Sequence, residues 1–252
     1  MGKFFTVDIN PIIPVAGQIQ SNKDDLVFTA GDVLFDWVSF DIPKGTCMLR
    51  DIIVTVRGGQ TAKDVEFYFA KTYDGKGPSS LSLSATAENN DADGYGYFKN
   101  MIGGIVMDNT NFKTDLNNMV VGSLGHGAAA DQHSTLMLTG EPNSGTNVGY
   151  DRLYIGATTS QSSGWNFSTG VLSNADVALN SASTFVTNTV DPRLFFDVGD
   201  VVHLHDNQTA IGTVLSLTDN DINLTANNAA EISTSDEIIN ASPISIRLCC
   251  EV

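Results

Sequence analysis

The residues best suited to holding a metal ion lie in the loop from Asn89 to Gly94. Asn89, Asp91 and Asp93 supply oxygen ligands at positions 1, 3 and 5, and glycine follows, as in a calcium-binding loop. Position 12 is Asn100 instead of the bidentate glutamate of an EF-hand, and no flanking helices are predicted. Because Asn, Asp and Gly are also typical of a tight β-turn, calcium binding here is a hypothesis and a plain turn is the alternative.

Two histidines, His203 and His205, lie two residues apart in a stretch that alternates like a β-strand. This spacing places both side chains on one face of a strand, where they could reach the same transition metal ion. Two ligands do not make a zinc site. No third ligand has a diagnostic spacing, although Asp206 is adjacent. We therefore interpret this stretch as an exposed strand.

No group of residues has the pattern of a catalytic centre. Ser123 and His126 are close in a glycine-rich stretch, but a nucleophile elbow needs a strand-to-helix turn and no helix follows. Paired carboxylates such as Asp219 and Asp221 lie in predicted turns, where solvation is their usual role. A phosphate-binding glycine loop with lysine is not found either. The sequence predicts that the protein is not an enzyme.

Four aromatic residues lie in polar, glycine-rich surroundings: Tyr95, Tyr97, Trp165 and Phe167. Such rings can stack on a sugar, but aromatic residues of β-proteins more often anchor a core or an interface. We interpret them mainly as anchors between subunits, with glycan binding as the alternative.

The composition favours strands and turns over helices. Ser, Thr and Asn number 21, 23 and 21 of 252 residues, and they compete with the helical backbone for hydrogen bonds. With 42% apolar residues, the chain can bury a core and is not expected to be disordered. A net charge of −16 argues against binding nucleic acid. No stretch has the roughly 20 apolar residues of a membrane helix.

Three cysteines, Cys47, Cys249 and Cys250, are too few for a disulfide framework. Cys249 and Cys250 are adjacent, so they point to opposite faces of a strand and a bond between them would be strained. We expect Cys47 in the core and one inward thiol on the last strand. This usage indicates folding in a reducing cytoplasm.

Short strand-like segments follow one another along most of the chain. The alternation is clearest at residues 64–71, where Val65, Phe67 and Phe69 share a face. Strands at this spacing, separated by Gly, Asn and Asp turns, are typical of a sandwich or barrel. Residues 111–121 are too short and too poor in helix formers to predict a helix. The other predicted strands are residues 26–29, 33–42, 47–57, 80–84, 95–107, 134–139 and 151–157.

The segment 158–190 has one charged residue, Asp176, among many Ser, Thr, Asn and Ala residues. It has too many apolar residues for a flexible linker. We interpret it as an extended arm that lies on a neighbouring subunit through neutral contacts. Deletion of residues 164–188 would then leave the sandwich folded and abolish assembly. The predicted interface residues are Trp165, Phe167, Val171, Leu172 and Phe185.

Close to the C-terminus, three or four very short strands alternate with polar turns between residues 196 and 239. A sheet this small must curl to bury both faces, so we predict a small SH3-like barrel. Residues 244–251 alternate again, with Ile244, Ile246 and Leu248 on one face. This last strand could return to the sandwich.

Two parts of the chain resemble segments of virion structural proteins of tailed bacteriophages, particularly those of marine cyanobacteria. Residues 194–239 carry the first resemblance, in Val-Gly-Asp-Val-Val, Ile-Gly-Thr-Val-Leu-Ser-Leu and Asp-Ile-Asn-Leu-Thr-Ala-Asn-Asn. Jelly-roll segments of such proteins are similar to Phe-Asp-Ile-Pro-Lys-Gly-Thr, Leu-Arg-Asp-Ile-Ile-Val-Thr-Val-Arg-Gly-Gly and Glu-Phe-Tyr-Phe-Ala-Lys-Thr further upstream. The resemblance implies a capsid decoration or cement protein, or a tail component.

The sequence thus predicts an all-β protein: a jelly-roll-like β-sandwich with extended arms (1–193), a small SH3-like β-barrel (194–240) and a terminal strand (241–252). The expected function is a non-enzymatic component of the virion, assembled in the host cytoplasm, which decorates or stabilises the capsid as a symmetric homo-oligomer. Its partners would be capsid or tail proteins, with no nucleic acid and no membrane. No cofactor is expected, apart from calcium at residues 89–93. The alternatives are a receptor- or glycan-binding tail or fibre module and a calcium-stabilised surface protein.

Overall fold

The computed structural model is all-β, which confirms the predicted fold class. It describes residues 2–13, 28, 31–58, 61–81, 98–116, 118–125, 136–142, 150–159, 165–188, 190–206 and 209–252. In these residues there are sixteen strands and three 3-10 helices of three residues each, and no α-helix. Among the same residues, no helix has the length and apolarity needed to cross a membrane.

The first sheet is antiparallel. Five of its strands lie side by side, and a sixth strand also pairs with the central one. The order is β1 (Phe4–Ile9), β16 (Ile244–Glu251), β3 (Thr46–Arg57), β7 (Met119–Gly125) and β6 (Phe112–Leu116). The sixth strand, β8 (Leu136–Thr139), pairs with the beginning of β3, while β7 pairs with the rest. The C-terminal strand therefore lies inside this sheet, between β1 and β3.

The second sheet faces the first and is also antiparallel. Its order is β2 (Val33–Pro43), β10 (Tyr150–Thr159), β4 (Val65–Lys71) and β5 (Met101–Met107), and β9 (Glu141–Pro142) pairs with the beginning of β10. On β4, Val65, Phe67 and Phe69 point inward as their alternation predicts. Both sheets contribute buried residues to one sandwich core. The predicted jelly-roll arrangement stays a prediction.

The third sheet is smaller and has its own core. Its order is β11 (Thr184–Val186), β14 (Asp221–Leu224), β13 (Ala210–Leu217), β12 (Val201–Leu204) and β15 (Ile238–Asn240). Neighbouring residues of β15 face different cores, since Ile238 packs in the small core and Ile239 in the sandwich core. The small sheet is thus packed against the sandwich through β15. Its closure into an SH3-like barrel stays a prediction.

The core of the small sheet includes residues well before position 194, which was the predicted boundary between the sandwich and the barrel. Val171 and Phe185 are buried in it, and strand β11 belongs to the small sheet. Isolated bridges also join Leu172 to Glu237 and Val177 to Ile232. The unit built on the small sheet therefore begins near residue 171.

Several local predictions differ from the structure or fall outside its described part. Residues 112–116 and 119–121 lie in β6 and β7 and Asn111 ends a 3-10 helix, which agrees with the prediction that this stretch is too weakly helical to form an α-helix. Residues 98–100 of the predicted strand 95–107 form a 3-10 helix, and β5 begins only at Met101. Most of the predicted strands 26–29 and 80–84 lies outside the described residues, and Ser80 and Leu81 are not in a strand.

Candidate functional site

The segment predicted to reach a neighbour begins inside the sandwich core of its own chain. Trp165 is 0% exposed and Phe167 is 5% exposed. The Trp165 ring stacks on Phe167 at 6.4 Å and meets the edge of Phe112 at 5.6 Å. Phe28 packs edge-on against Phe167 at 5.6 Å, and its N–H donates to the Trp165 carbonyl at 2.8 Å. These four rings form one buried aromatic cluster.

The other predicted interface residues belong to the small unit. Val171 and Phe185 are buried in the small core, and Leu172 is partly buried. The interpretation of Trp165, Phe167, Val171 and Phe185 as anchors for a neighbour is therefore corrected, because their side chains are already enclosed by their own chain. Burial also removes Trp165 as a sugar-stacking platform.

The physical reason lies in the alternation of the linking segment, which we define as residues 165–171. Trp165, Phe167, Thr169 and Val171 are buried, while the residues between them are exposed. An uncharged, strand-like segment can pack against the core of its own chain as well as against a neighbouring subunit. Deletion of residues 164–188 would remove parts of both cores, so the expectation of a folded sandwich after that deletion is also corrected.

Glu237 fixes the linking segment to the small sheet. Its Oε1 accepts hydrogen bonds from the Ser168 hydroxyl and the Thr169 N–H, both at 2.6 Å, and from the Gly170 N–H at 2.8 Å. Bonds to a charged acceptor are stronger than neutral ones. The sequence offered no signal for this role, since Glu237 is distant from residues 168–170 along the chain.

Glu237 also lines a recess of about 340 Å³ beside His205. The imidazole Nδ1 lies 3.6 Å from both Asp206 Oδ1 and Glu237 Oε2, which is too far for a hydrogen bond. Glu231 and Asp236 bring further carboxylates to the wall. The Oδ2 of Asp236 accepts from the Ser233 N–H at 2.6 Å within a turn. The carboxylates of Asp236 and Glu237 thus hold backbone groups, and the recess has no paired base and nucleophile.

The two histidines do not form a metal site with their neighbours. His203 lies on β12, whereas His205 follows the end of that strand. Burial lowers the pKa of His203, which favours its neutral form. Among the described residues, no three His, Cys, Asp or Glu side chains are grouped to hold a metal ion. The calcium loop predicted at Asn89, Asp91 and Asp93, like the rings of Tyr95 and Tyr97, lies outside the described residues.

A crevice of about 430 Å³ separates the sandwich from the small sheet. Arg57 of β3 forms an ion pair with Asp197 across it, and the Arg57 N–H donates to the Pro243 carbonyl at 3.0 Å. Asp200 accepts hydrogen bonds from the Asn240 amide at 2.7 Å and the Asp197 N–H at 2.8 Å. Burial raises the pKa of Asp200. Of these contacts, the pair of Arg57 and Asp197 joins the two units.

A buried asparagine, Asn228, organises the loop beside β11. Its side-chain NH₂ donates to the carbonyls of Ala178 and Ala230 at 2.9 and 2.7 Å. Its Oδ1 accepts from the N–H groups of Ser181 and Ala182, both at 3.1 Å. The two donors and two acceptor positions of its side chain are therefore all used inside the chain. In a chain with 21 Asn, nothing in the sequence distinguishes this one.

The small sheet presents apolar side chains to solvent on the side opposite its core. We call this side the outer face and define it by Thr184, Val186, Val201, Leu215 and Asn223. Val186, Val201 and Leu215 are 49%, 40% and 57% exposed. Thr184 donates to the Asn223 amide oxygen at 2.6 Å across β11 and β14, so these polar groups are partly satisfied. The outer face thus combines exposed apolar and neutral polar side chains with one carboxylate, that of Asp221, which lies opposite Val186.

A β-bulge positions the most exposed of these apolar residues. On β13, Val214 is opposite Leu224 and Ser216 is opposite Asn223, which leaves Leu215 as the extra residue. Bulges locally twist a strand and redirect a side chain. Val214 lies in the core and Leu215 faces solvent, and after the bulge Ser216 also faces outward while Leu217 packs toward the small core.

The fold and these contacts define the chain as an all-β protein with a sandwich and an attached small sheet. No family model and no curated protein matches it. It is weakly similar to the infectious bursal disease virus VP2 subviral particle, with 9% identity and a TM-score of 0.14, over 100% of this chain and 41% of the viral chain. A protein from Parabacteroides distasonis aligns at 9% identity and a TM-score of 0.10, over 98% of this chain and 99% of the other. Similarity at this level carries no inference about function.

Proposed function

We propose that this protein is a non-enzymatic structural component of a virus particle, which docks on the capsid surface through the outer face of its small sheet. The observation that carries the proposal is the exposure of Val186, Val201 and Leu215 on one face of the small sheet. Docking there would remove apolar surface from water, and a partner that covers Val186 would also have to accommodate the carboxylate of Asp221 opposite it.

The resemblance of residues 194–239 to a module of bacteriophage virion proteins supports the same proposal, because those residues include most of the small sheet. The bulge that exposes Leu215 falls within this stretch.

We further propose that the protein acts as a symmetric homo-oligomer, since a capsid surface repeats its docking sites by symmetry. Its rigidity supports this role. The linking segment, Glu237 and the pair of Arg57 and Asp197 connect the two units, so a sandwich can be held at a fixed position above a docked small sheet.

Replacement of Leu215 by aspartate tests the docking face. The variant places a carboxylate where docking would strip its water, so we expect at least about tenfold fewer copies per particle. The measurement is quantitative mass spectrometry of purified particles of the virus that carries this sequence, produced with either the wild-type or the variant gene.

Met137→Asp is the matched control, because Met137 is 58% exposed but lies on β8 of the sandwich. It is expected to enter particles like the wild type. Circular dichroism verifies that both variants are folded. Equal incorporation of Leu215→Asp and Met137→Asp would contradict docking through the outer face, and absence of the wild-type protein from particles would contradict the proposed function.

A further inference from the structure

Four strands lie at the ends of the two sandwich sheets, and one of them differs from the others in charge. Strand β1 carries Asp8, β6 carries Lys113 and β2 carries Asp36. Strand β5, which is Met101–Met107, has no charged residue and no proline. Natural proteins protect edge strands with charges, proline or bulges, because an exposed edge pairs readily with another chain. Of these three devices, β5 has only a bulge close to its beginning.

The backbone on the outer side of β5 has no partner in the described part of the chain. There β5 pairs with β4 alone, from Val65 opposite Met107 to Ala70 opposite Met101. Among the described backbone hydrogen bonds outside this ladder, none uses residues 101–107. Alternate residues of an antiparallel strand direct their N–H and C=O groups away from a single partner strand. β5 therefore offers a row of backbone donors and acceptors to a further strand.

The bulge leaves a regular edge at residues 103–107. Ile102 has no opposite residue on β4, so it is the extra residue of the bulge. Within the regular edge, Gly104 and Val106 are two residues apart and share the exposed face, and Val106 is 47% exposed. A large apolar side chain thus lies beside a position that has no side chain.

We propose that β5 pairs antiparallel with β5 of a second copy of this chain, around a two-fold axis at Ile105. This register places Val106 of each copy opposite Gly104 of the other, so each valine covers a bare stretch of backbone. Cross-strand contacts of this kind stabilise paired strands, and glycine lets the facing backbone approach closely. The pattern is complementary to itself, which a two-fold interface requires.

The charges that flank β5 favour the same arrangement. Lys99 precedes the strand and Asp108 follows it. In an antiparallel pair, Lys99 of one copy lies at the same end as Asp108 of the other, whereas a parallel pair in register would bring like charges together. A foreign segment would have to reproduce this order of charges, and a second copy has it by symmetry.

Pairing joins the second sheets of two copies into one sheet of eight successive strands, a usual size for an open sheet. The two-fold axis closes the assembly at a dimer, because no unpaired β5 remains. The interface uses none of the residues that define the outer face. It deepens the symmetric oligomer and in that respect rests on the proposed function, but it is testable on the purified protein without particles.

Sedimentation velocity of the purified full-length chain over a series of concentrations tests the dimer. The result expected is a reversible shift from the mass of one chain to the mass of two as the concentration rises. A single pair of strands buries little surface, so the dimer should dissociate on dilution.

Val106→Lys should raise the dissociation constant at least about tenfold, because it places two like charges on diagonal positions of the paired strands. Val186→Lys is the matched control, since Val186 is 49% exposed but lies on β11 of the small sheet. This control should dimerise like the wild type. Circular dichroism verifies that both variants are folded.

Hydrogen–deuterium exchange of the wild type supplies a second measurement that needs no variant. The amides of residues 103–107 should exchange more slowly at high protein concentration than at low, while those of β1 should not change. A chain that stays monomeric at every concentration, a dimer that Val186→Lys weakens as much as Val106→Lys, or a dimer without protection at β5 would each overturn the proposal. These outcomes are distinct from absence of the protein from particles, which contradicts the proposed function alone.

Discussion

At the scale of single residues, the most informative side chains are those whose surroundings change their titration. Asp200 and Asp176 illustrate opposite cases. Burial raises the pKa of Asp200 at the junction of the two units. The pKa of Asp176 is lowered by hydrogen bonds from the Thr234 N–H and hydroxyl, at 2.6 and 2.8 Å. The sequence shows two aspartates, and only the fold distinguishes them.

Asp200→Asn should change the pH dependence of stability in a defined direction. In the folded chain Asp200 binds a proton at a higher pH than its ordinary value of 3.8, so stability from this group is present at low pH and lost as the pH rises through the raised pKa. The unfolding free energy of the wild type minus that of Asp200→Asn should therefore fall as the pH rises above 3.8. Urea unfolding at several pH values measures it.

Asp176→Asn serves as a control of opposite sign. The lowered pKa of Asp176 gives stability that is present above its ordinary value and lost as the pH falls through the folded value. The corresponding difference for Asp176→Asn should thus rise with pH over the acid range. Slopes of the same sign for both variants would contradict the assignment at Asp200.

At the scale of elements, alternation in the sequence is a good guide to strands and a poor guide to what a strand packs against. Residues 64–71 have alternating large apolar residues, and β4 lies there with its apolar face inward. The linking segment also alternates, with Asn166, Ser168 and Gly170 at its exposed positions. The local sequence does not indicate whether this segment packs against its own chain or against another one. The outcome depends on contacts between residues that are distant in sequence, such as Trp165 and Phe112.

Trp165→Ala should destabilise the chain by about 3–5 kcal/mol, because it leaves a large cavity in the aromatic cluster of the sandwich core. Urea unfolding followed by far-ultraviolet circular dichroism measures the loss. Trp37→Ala is the matched control, since Trp37 is only partly buried and its indole N–H donates to the Ser79 carbonyl at 2.8 Å. A loss at Trp165 no greater than at Trp37 would mean that the linking segment is not anchored in the sandwich core.

At the scale of the whole molecule, composition predicted the all-β class because Ser, Thr, Asn and Gly disfavour helices over the entire chain. The boundary between the units could not be predicted in the same way. The small core takes Val171 and Phe185 from the segment before residue 194, which depends on long-range packing. The alternation at residues 244–251 did suggest that the last strand returns to the sandwich, and it lies in the first sheet. The bulge in β13, by contrast, has no signal in its residue pattern.

The uncharged polar residues that are abundant in the sequence occupy particular places in the structure. Part of them lines the linking segment between two cores, and part forms the outer face around Leu215. The second part is exposed to solvent. The proposed function therefore depends on the outer face, and the direction in which this face points in an assembled particle tests it.

Cryo-electron microscopy of purified particles of the virus that carries this sequence tests that orientation most directly. The account predicts repeated density for the two-unit chain on the particle, with Val186, Val201 and Leu215 against the capsid surface and the sandwich further out. Particles without this density, or a chain whose outer face is turned to solvent, would contradict it.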